Sequence, residues 1–234
     1  MLVDELNSVK DIDLLVIGGD LLDCAKPSTA EIELMFSFLA KLKHKTLIYS
    51  GNHCMTTKKD VGKYSVLQNF AEEISRCNPL VRVVTSYRST EFDVVGYEEI
   101  SNKKLHKPPM SKLCFTHVRG EIQPHVKWEI DPKFFEQYEL VLTGDLHSHE
   151  NSQGKFIYPG SPLTTSFHRT RTTGNGYLIV NTDLLTWKWF PLSHLPQLIR
   201  KTVSSLEEMV ETKHDWTIYE VETNVLQSKD IKKT

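Results

Sequence analysis

The sequence lacks what would place it in or across a membrane. No apolar run approaches the ~18 residues that a bilayer span needs. The opening MLVDELNSVKD has neither the basic n-region nor the apolar h-region of a secretory signal, so the expected compartment is the cytoplasm. Cysteine is scarce and scattered. Cys24, Cys54, Cys77 and Cys114 form no C-x-x-C pair, which argues against a zinc knuckle or a dithiol redox motif and predicts reduced thiols. An excess of one charge is missing too: a net charge of −2 advertises no polyanionic partner and leaves room only for a local basic groove. Internal repeats and low-complexity segments are absent.

What is present is the composition of an ordinary globular chain. With 234 residues, 39% of them hydrophobic and 25% charged, the sequence suits one domain with a sizeable core and a small appendage. Its organising stretch is Ile12 to Asp23, IDLLVIGGDLLD. The apolar run Leu14 to Ile17 reads as a strand buried on both faces, and Gly18-Gly19 breaks it so that Asp20 follows its carboxyl end. Open α/β sheets place their chemistry there. The pattern recurs: Thr46 to Ser50 runs into Gly51-Asn52-His53, Lys112 to Thr116 into His117, and Leu140 to Thr143 into Gly144-Asp145-Leu146-His147. Each run delivers metal-capable side chains at its end.

Between these strands the sequence predicts helices over Met1 to Val9, over Pro27 to Lys43 behind a Ser28-x-x-Glu31 capping box, and over Val61 to Arg76. The order β-α-β-α implies parallel strands. From Leu80 the texture changes to short strands at Val81 to Val84 and Phe92 to Tyr97. A polar stretch from Glu98 to Lys112 carries Lys103, Lys104, Lys107 and Lys112, read as a solvated loop ahead of a nucleic-acid contact. Asp131-Pro132 starts a short helix through Tyr138. Strands at Lys155 to Tyr158, Gly176 to Val180 and Leu185 to Pro191 read as an antiparallel set. Ser204-x-x-Glu207 caps a last helix, and Thr217 to Thr223 begins a strand.

Asp20, Asn52, His53, His117, Asp145 and His147 are oxygen and imidazole donors without a thiolate, a set suited to Mn²⁺, Fe²⁺ or Zn²⁺. A single His after a strand is more often a hydrogen-bonding loop residue, and Gly-Asn-His alone fits a simple turn; their common position at strand ends favours the metal reading. Asp23, Cys54 and His149 sit beside them in supporting or structural roles.

At these residues the sequence resembles the calcineurin-like metallophosphoesterase superfamily, whose motifs run D-x-H, G-D-x-x-D, G-N-H-D/E, a lone His, and G-H-x-H. Gly19-Asp20-Leu21-Leu22-Asp23, Gly51-Asn52-His53, His117 and Gly144-Asp145-Leu146-His147 stand in that order. Tyr158-Pro159-Gly160-Ser161-Pro162, followed by Ser166-Phe167, is similar to a segment of the SbcD-like branch. Those nuclease subunits act with an SMC-like ATPase in double-strand-break repair and recombination. The resemblance covers about Ile12 to Pro191. It implies an α/β fold of two sheets between helical layers, an αββα sandwich. It also implies two divalent ions, Mn²⁺ first, with Mg²⁺, Fe²⁺ or Zn²⁺ as alternatives. Asp20 would bridge the ions; Asn52, His117 and Asp145 would complete one site, and His147 would serve the other. A bridging hydroxide between ions ~4 Å apart would attack phosphorus. His53 would be catalytic, contacting the scissile phosphate or protonating the leaving alkoxide.

Three departures stand out. No D-x-H precedes Asp20, so one metal site is expected to lack two ligands and the sheet a member. The fold is then N-terminally truncated, with Met1 an internal start in a longer phage or bacterial enzyme. Asp145 stands where the family has His, which favours a hard ion. Cys54 replaces the acidic residue after His53, so that imidazole must be oriented from elsewhere. The expected division is a core over 1–200 and, over 201–234, a helix and the start of a capping domain, too little for strong binding to the ATPase. The leading function is a DNA exo- or endonuclease, favoured also by His168, Arg169 and Arg171 as phosphate contacts, with a surface loop as their plain alternative. Alternatives are a phosphomonoesterase or small-nucleotide phosphodiesterase, or a catalytically inactive binding module. DNA and the SMC-like ATPase are the implied partners, and a homodimer is one assembly this leaves open.

Overall fold

The computed structural model describes residues 1–58, 62–167, 174–211 and 216–221. Three parallel strands form the first sheet. They are β1 (Leu15–Gly18), β2 (Thr46–Tyr49) and β5 (Val81–Val84), with β2 in the middle. Between β2 and β5 the chain makes an antiparallel hairpin of β3 (Met55–Lys58) and β4 (Gly62–Ser65). The second sheet runs in the order β10, β9, β8, β7, β6, formed by β6 (Ser86–Arg88), β7 (Asp93–Val95), β8 (Leu113–His117), β9 (Leu140–Gly144) and β10 (Phe156–Ile157). Its strands are parallel except β6, which returns antiparallel to β7.

Alternation along the strands builds the layers. In β2, Leu47 and Tyr49 face Leu113, Leu140 and Leu142 of the second sheet, whereas Ile48 packs with helix residues on the other side. That outer layer is α2 (Thr29–Leu39) and α3 (Ala71–Cys77), which contribute Met35, Leu39 and Ile74. In β8 and β9, Cys114 and Val141 point away from the first sheet into a third cluster. Ile100 of α4 (Tyr97–Asn102) joins it, with Phe135 and Tyr138 from the segment before β9. The result is the expected αββα sandwich. Tyr49 also reaches across the sheets, donating its hydroxyl to the Thr116 carbonyl at 2.8 Å.

Local signals account for the helix starts. Ser28 and Glu31 form the capping box of α2, with Glu31 N–H on the Ser28 hydroxyl and Ser28 N–H on the Glu31 carboxylate. At the N-terminus α1 (Leu2–Ser8) is in place. Later, Asp131 caps a 3₁₀ turn over Pro132–Phe135. Among the described residues no helix is long and apolar enough to cross a membrane.

Several expectations are corrected. The β1 strand is not buried on both faces: it lies at the edge of its sheet and all four residues are partly exposed. The helix expected over 61–76 is the second arm of the hairpin, a 3₁₀ turn over Val66–Phe70 and then α3, because Gly62–Ser65 pairs antiparallel with Met55–Lys58. Residue 61 itself lies outside the described residues. The strand expected over Phe92 to Tyr97 ends at Val95, and α4 occupies the start of the expected polar loop; Lys103, Lys104 and Lys107 are exposed as expected. Nor is β10 antiparallel, for it pairs parallel with β9. Of that expected set, β11 (Gly176–Asn181) and β12 (Thr186–Pro191) do pair antiparallel. After Ser204 there is a single 3₁₀ turn over Leu206–Glu208, not a helix; Leu206 and Val210 are exposed, so no apolar face would stabilise one. Around that turn, β13 (Leu198–Val203) pairs parallel with β14 (Trp216–Val221) in a sheet of two strands. All four cysteines are free.

Candidate metal centre

Four of the expected side chains meet where parallel strands end. Asp20 follows β1 by two residues, Asn52 follows β2, His117 is the last residue of β8, and Asp145 follows β9. Both aspartates have left-handed backbone, φ 47° at Asp20 and 85° at Asp145, a conformation that Asp tolerates better than most residues and that turns each carboxylate sharply off its strand. The His117 imidazole is the hub. Its Nε2 lies 3.1 Å from Asp20 Oδ2, 3.0 Å from the Asn52 amide and 3.7 Å from Asp145 Oδ1.

The other ring nitrogen fixes the chemistry. Nδ1 stands 2.9 Å from the Gly18 carbonyl, which can only accept, so Nδ1 carries the proton; in the neutral ring Nε2 presents its lone pair, and in the imidazolium its N–H faces Asp20 Oδ2. The ring is 2% exposed, and glycines permit that burial. A Cβ at Gly19 would lie 2.2 Å from Nδ1, and one at Gly51 would lie 2.2 Å from Asp20 Oδ1. These contacts give a physical reason for glycine before Asp20 and before Asn52.

Burial alone would pull the His117 imidazole down. The hydrogen bond and charge of Asp20, the Gly18 carbonyl and the charge of Asp145 outweigh it, and the net shift is upward. Asp20 responds in the opposite sense: burial works to raise its carboxyl, but the hydrogen bond and charge of His117 and the His53 backbone N–H bring it below its ordinary value. Asp145 is raised, by burial first and by the charge of Glu129, with His117 and Arg119 opposing.

The donor set fits a divalent cation. With the Asn52 oxygen turned inward, three oxygens and one imidazole nitrogen present lone pairs to one another. With the amide reversed, its nitrogen lies 2.9, 3.0 and 3.3 Å from Asp20 Oδ2, His117 Nε2 and Asp145 Oδ1, and its two hydrogens serve two of these acceptors at a time. The first arrangement is the one a cation draws; the second offsets part of the lone-pair repulsion by hydrogen bonds alone. Among the described residues no group of three or more His, Cys, Asp or Glu side chains is spaced to hold a metal ion without rearrangement.

His53 and His147 stand outside the hub. His53 Nδ1 lies 2.7 Å from the Asp23 carbonyl and 3.5 Å from its carboxylate, so Asp23 orients the ring in place of the acidic residue that Cys54 replaces. The His53 backbone N–H also donates to Asp20 Oδ1 at 3.0 Å, which ties the two loops together. Cys54 is fully buried, its thiol pushed up to about 11 mainly by that burial. The exposed His147 does not bond Asp20; its Nδ1 meets the Thr165 hydroxyl at 2.6 Å.

The Tyr158 to Pro162 segment is built against this loop. Ser161 N–H donates to the His147 carbonyl at 3.1 Å, and Gly160, at φ 82°, sits where a Cβ would lie 3.1 Å from that same oxygen. His149 donates from Nδ1 to the Tyr158 carbonyl at 2.6 Å and stacks on Trp189 with ring centroids 4.7 Å apart. Its role is therefore to fasten the loop. Residues 168, 169 and 171, the expected phosphate contacts, lie outside the described residues.

Three residues near the hub escape a reading of the sequence. Tyr97, at the start of α4, packs edge-on against His117 at 6.1 Å, and its hydroxyl bonds Glu129. Beside it, the Arg119 backbone accepts the Glu129 N–H and donates to the Glu129 carboxylate. Tyr97 is signalled only by following the end of β7, and the other two by nothing in their surroundings.

Residues 1–149 match the model of the calcineurin-like phosphoesterase family. The chain is 50% identical over 242 residues to the probable exonuclease subunit 1 of Escherichia phage T5, covering 99% of this chain and 73% of that protein. It is 22% identical over 254 residues to the SbcD component of the nuclease SbcCD of Staphylococcus saprophyticus, covering 90% of this chain and 67% of that protein. A family model spanning more than half the sequence, with a near relative along almost all of it, means that the chain belongs to the calcineurin-like phosphoesterase family.

Proposed function

We propose that this chain hydrolyses phosphodiester bonds of DNA at a divalent-metal centre held by Asp20, Asn52, His117 and Asp145, with Mn²⁺ as the working ion. The observation that carries this reading is the convergence of three oxygen donors on His117 Nε2 at the ends of parallel strands. Calcineurin-like phosphoesterases use divalent metals. Asp20 and His147 are the residues of this chain that would hold a second ion. A divalent ion bound here supplies charge neutralisation to the phosphoryl oxygens.

The remaining work falls to the chain. Asp20 holds the His53 loop through its backbone N–H, and Asp23 fixes the His53 ring by taking the Nδ1 proton in a hydrogen bond. Nε2 is then the atom that meets substrate, and in the imidazolium form it can give a proton to the leaving alkoxide. Both curated relatives are named as parts of nucleases, which supports an assembly of more than one kind of chain. The proposed division is a core over 1–200 and a C-terminal unit over 201–234, and the pairing of β13 with β14 supports a start for that unit a few residues earlier, at Leu198.

The test is a comparison of turnover with Mn²⁺ on DNA and on a nitrophenyl phosphate monoester. DNA is expected to be cleaved with a far higher kcat/KM, and His53→Ala to lower that rate about a hundredfold. Preference for the monoester would overturn the nuclease reading.

A further inference from the structure

Beyond the hub, one cationic residue at its rim has both of its backbone polar groups fixed. Arg119 lies two residues past His117, in the loop after β8. Its N–H donates to Glu129 Oε2 at 3.1 Å, and its carbonyl accepts the Glu129 N–H at 3.0 Å. The next residue, Gly120, is wedged in place: a Cβ there would lie 2.8 Å from the Tyr158 hydroxyl. The other oxygen of Glu129 takes the Tyr97 hydroxyl, and the Tyr97 ring packs on His117. Arg119 is therefore connected to the hub through a short chain of fixed contacts.

Its guanidinium is different. Arg119 is exposed, and among the described residues no hydrogen bond or ion pair holds its side chain. Each carboxylate oxygen of Glu129 already accepts a hydrogen bond, from Tyr97 and from the Arg119 N–H, and Glu129 makes no ion pair with the guanidinium. Its charge still reaches Asp145 and Tyr97, lowering both groups against the burial that raises them. A rigid backbone presenting an unengaged cation beside two carboxylates is suited to a ligand that is itself anionic and arrives from solvent.

We propose that Arg119 is a substrate-contacting residue that takes a backbone phosphate flanking the scissile one in a nucleic-acid strand laid across the centre. A residue serving the reacting phosphoryl group would have to be turned in over His117 and Asp145; an exposed Arg at the rim meets a neighbouring phosphate, which a monoester does not have. Arg119 would so offset the repulsion between a polyanion and Asp20, Asp145 and Glu129, and would favour strands over small esters. This inference rests on the nuclease reading and assigns that site a specificity residue.

The test is equilibrium binding of a fluorescein-labelled single-stranded oligodeoxynucleotide, followed by anisotropy with Ca²⁺ across a salt series. Four chains are compared: wild type, Arg119→Ala, Arg119→Lys, and Lys112→Ala. Lys112 lies at the opposite end of β8, paired with Glu139, and its loss makes the same change in net charge. Arg119→Ala is expected to weaken binding about tenfold and to flatten the log–log salt slope by about 0.7, the value of one single-strand phosphate contact. Arg119→Lys is expected to keep the slope while losing part of the affinity, and Lys112→Ala to match wild type. Binding by wild type that Arg119→Ala leaves unchanged in strength and slope overturns the assignment of Arg119 and leaves the nuclease reading standing. Equal weakening by Lys112→Ala overturns it too, since net charge alone would then be at work. Failure of wild type to bind the oligonucleotide overturns both.

Discussion

Gly51→Ala is expected to disable the centre without touching any of its donors. The new Cβ would lie 2.2 Å from Asp20 Oδ1 and 2.7 Å from His117 Cε1, distances at which something must move. Neither neighbour is free to yield. Asp20 is held by the His53 N–H and by His117, and His117 is anchored through Nδ1 to the Gly18 carbonyl. Overpacking of this kind typically costs about 1–3 kcal/mol, which urea denaturation measures. Displacing reacting groups by about 1 Å costs on the order of a hundredfold in rate, which turnover on a diester measures. A variant with wild-type stability and a rate within threefold of wild type would show that the close packing around His117 is incidental.

Asp20→Asn keeps the shape and removes the charge. Asp20 is the carboxylate that both lifts the His117 imidazole and binds the His53 loop, so its loss is expected to lower diester turnover at least about a thousandfold. Stability in the presence of a chelator provides a second, independent reading. Asp20 lies below its ordinary value of 3.8 in the folded chain, so its contribution is present above that value and is lost as pH falls through the depressed folded pKa. His117 lies above its ordinary value of 6.5, so its contribution is complete below that value and is lost as pH rises through the raised folded pKa. The stability advantage of wild type over Asp20→Asn is therefore expected to peak between these limits, reaching about 3 kcal/mol for a buried pair broken on one side, and to shrink in both directions. An advantage that does not vary with pH would mean that the pair is not ionic.

Much of this architecture is legible from local pattern because the relevant signals are local. A run of apolar residues ending in a polar donor marks a strand end, and Asp20, Asn52, His117 and Asp145 all follow that rule, the first, second and fourth of them directly after a glycine. The capping box at Ser28 and Glu31 is equally local. What escapes is set by distant partners. The β3–β4 hairpin is decided by pairing of Met55 with Ser65, and the parallel course of β10 by its neighbour β9. Tyr97, Arg119 and Glu129 come together from three separate segments, and no spacing in the chain announces it. His147 sits in the expected motif, yet its Nδ1 is taken by Thr165, a residue of a later loop. Cys54 shows the reverse case: its departure from the motif predicts a substitute support for His53, and the carbonyl of Asp23, thirty residues earlier, fills that place.

Asp20, Asn52, His117 and Asp145 are proposed as a site for a divalent cation. Calorimetric titration of the purified chain with Mn²⁺, beside Asp145→Ala, tests it most directly. At least one ion is expected to bind per wild-type chain, and the variant is expected to lose that ion or to bind it about a hundredfold or more weakly. Wild type that takes up no Mn²⁺, or a variant that binds the same number of ions with the same affinity, would contradict it.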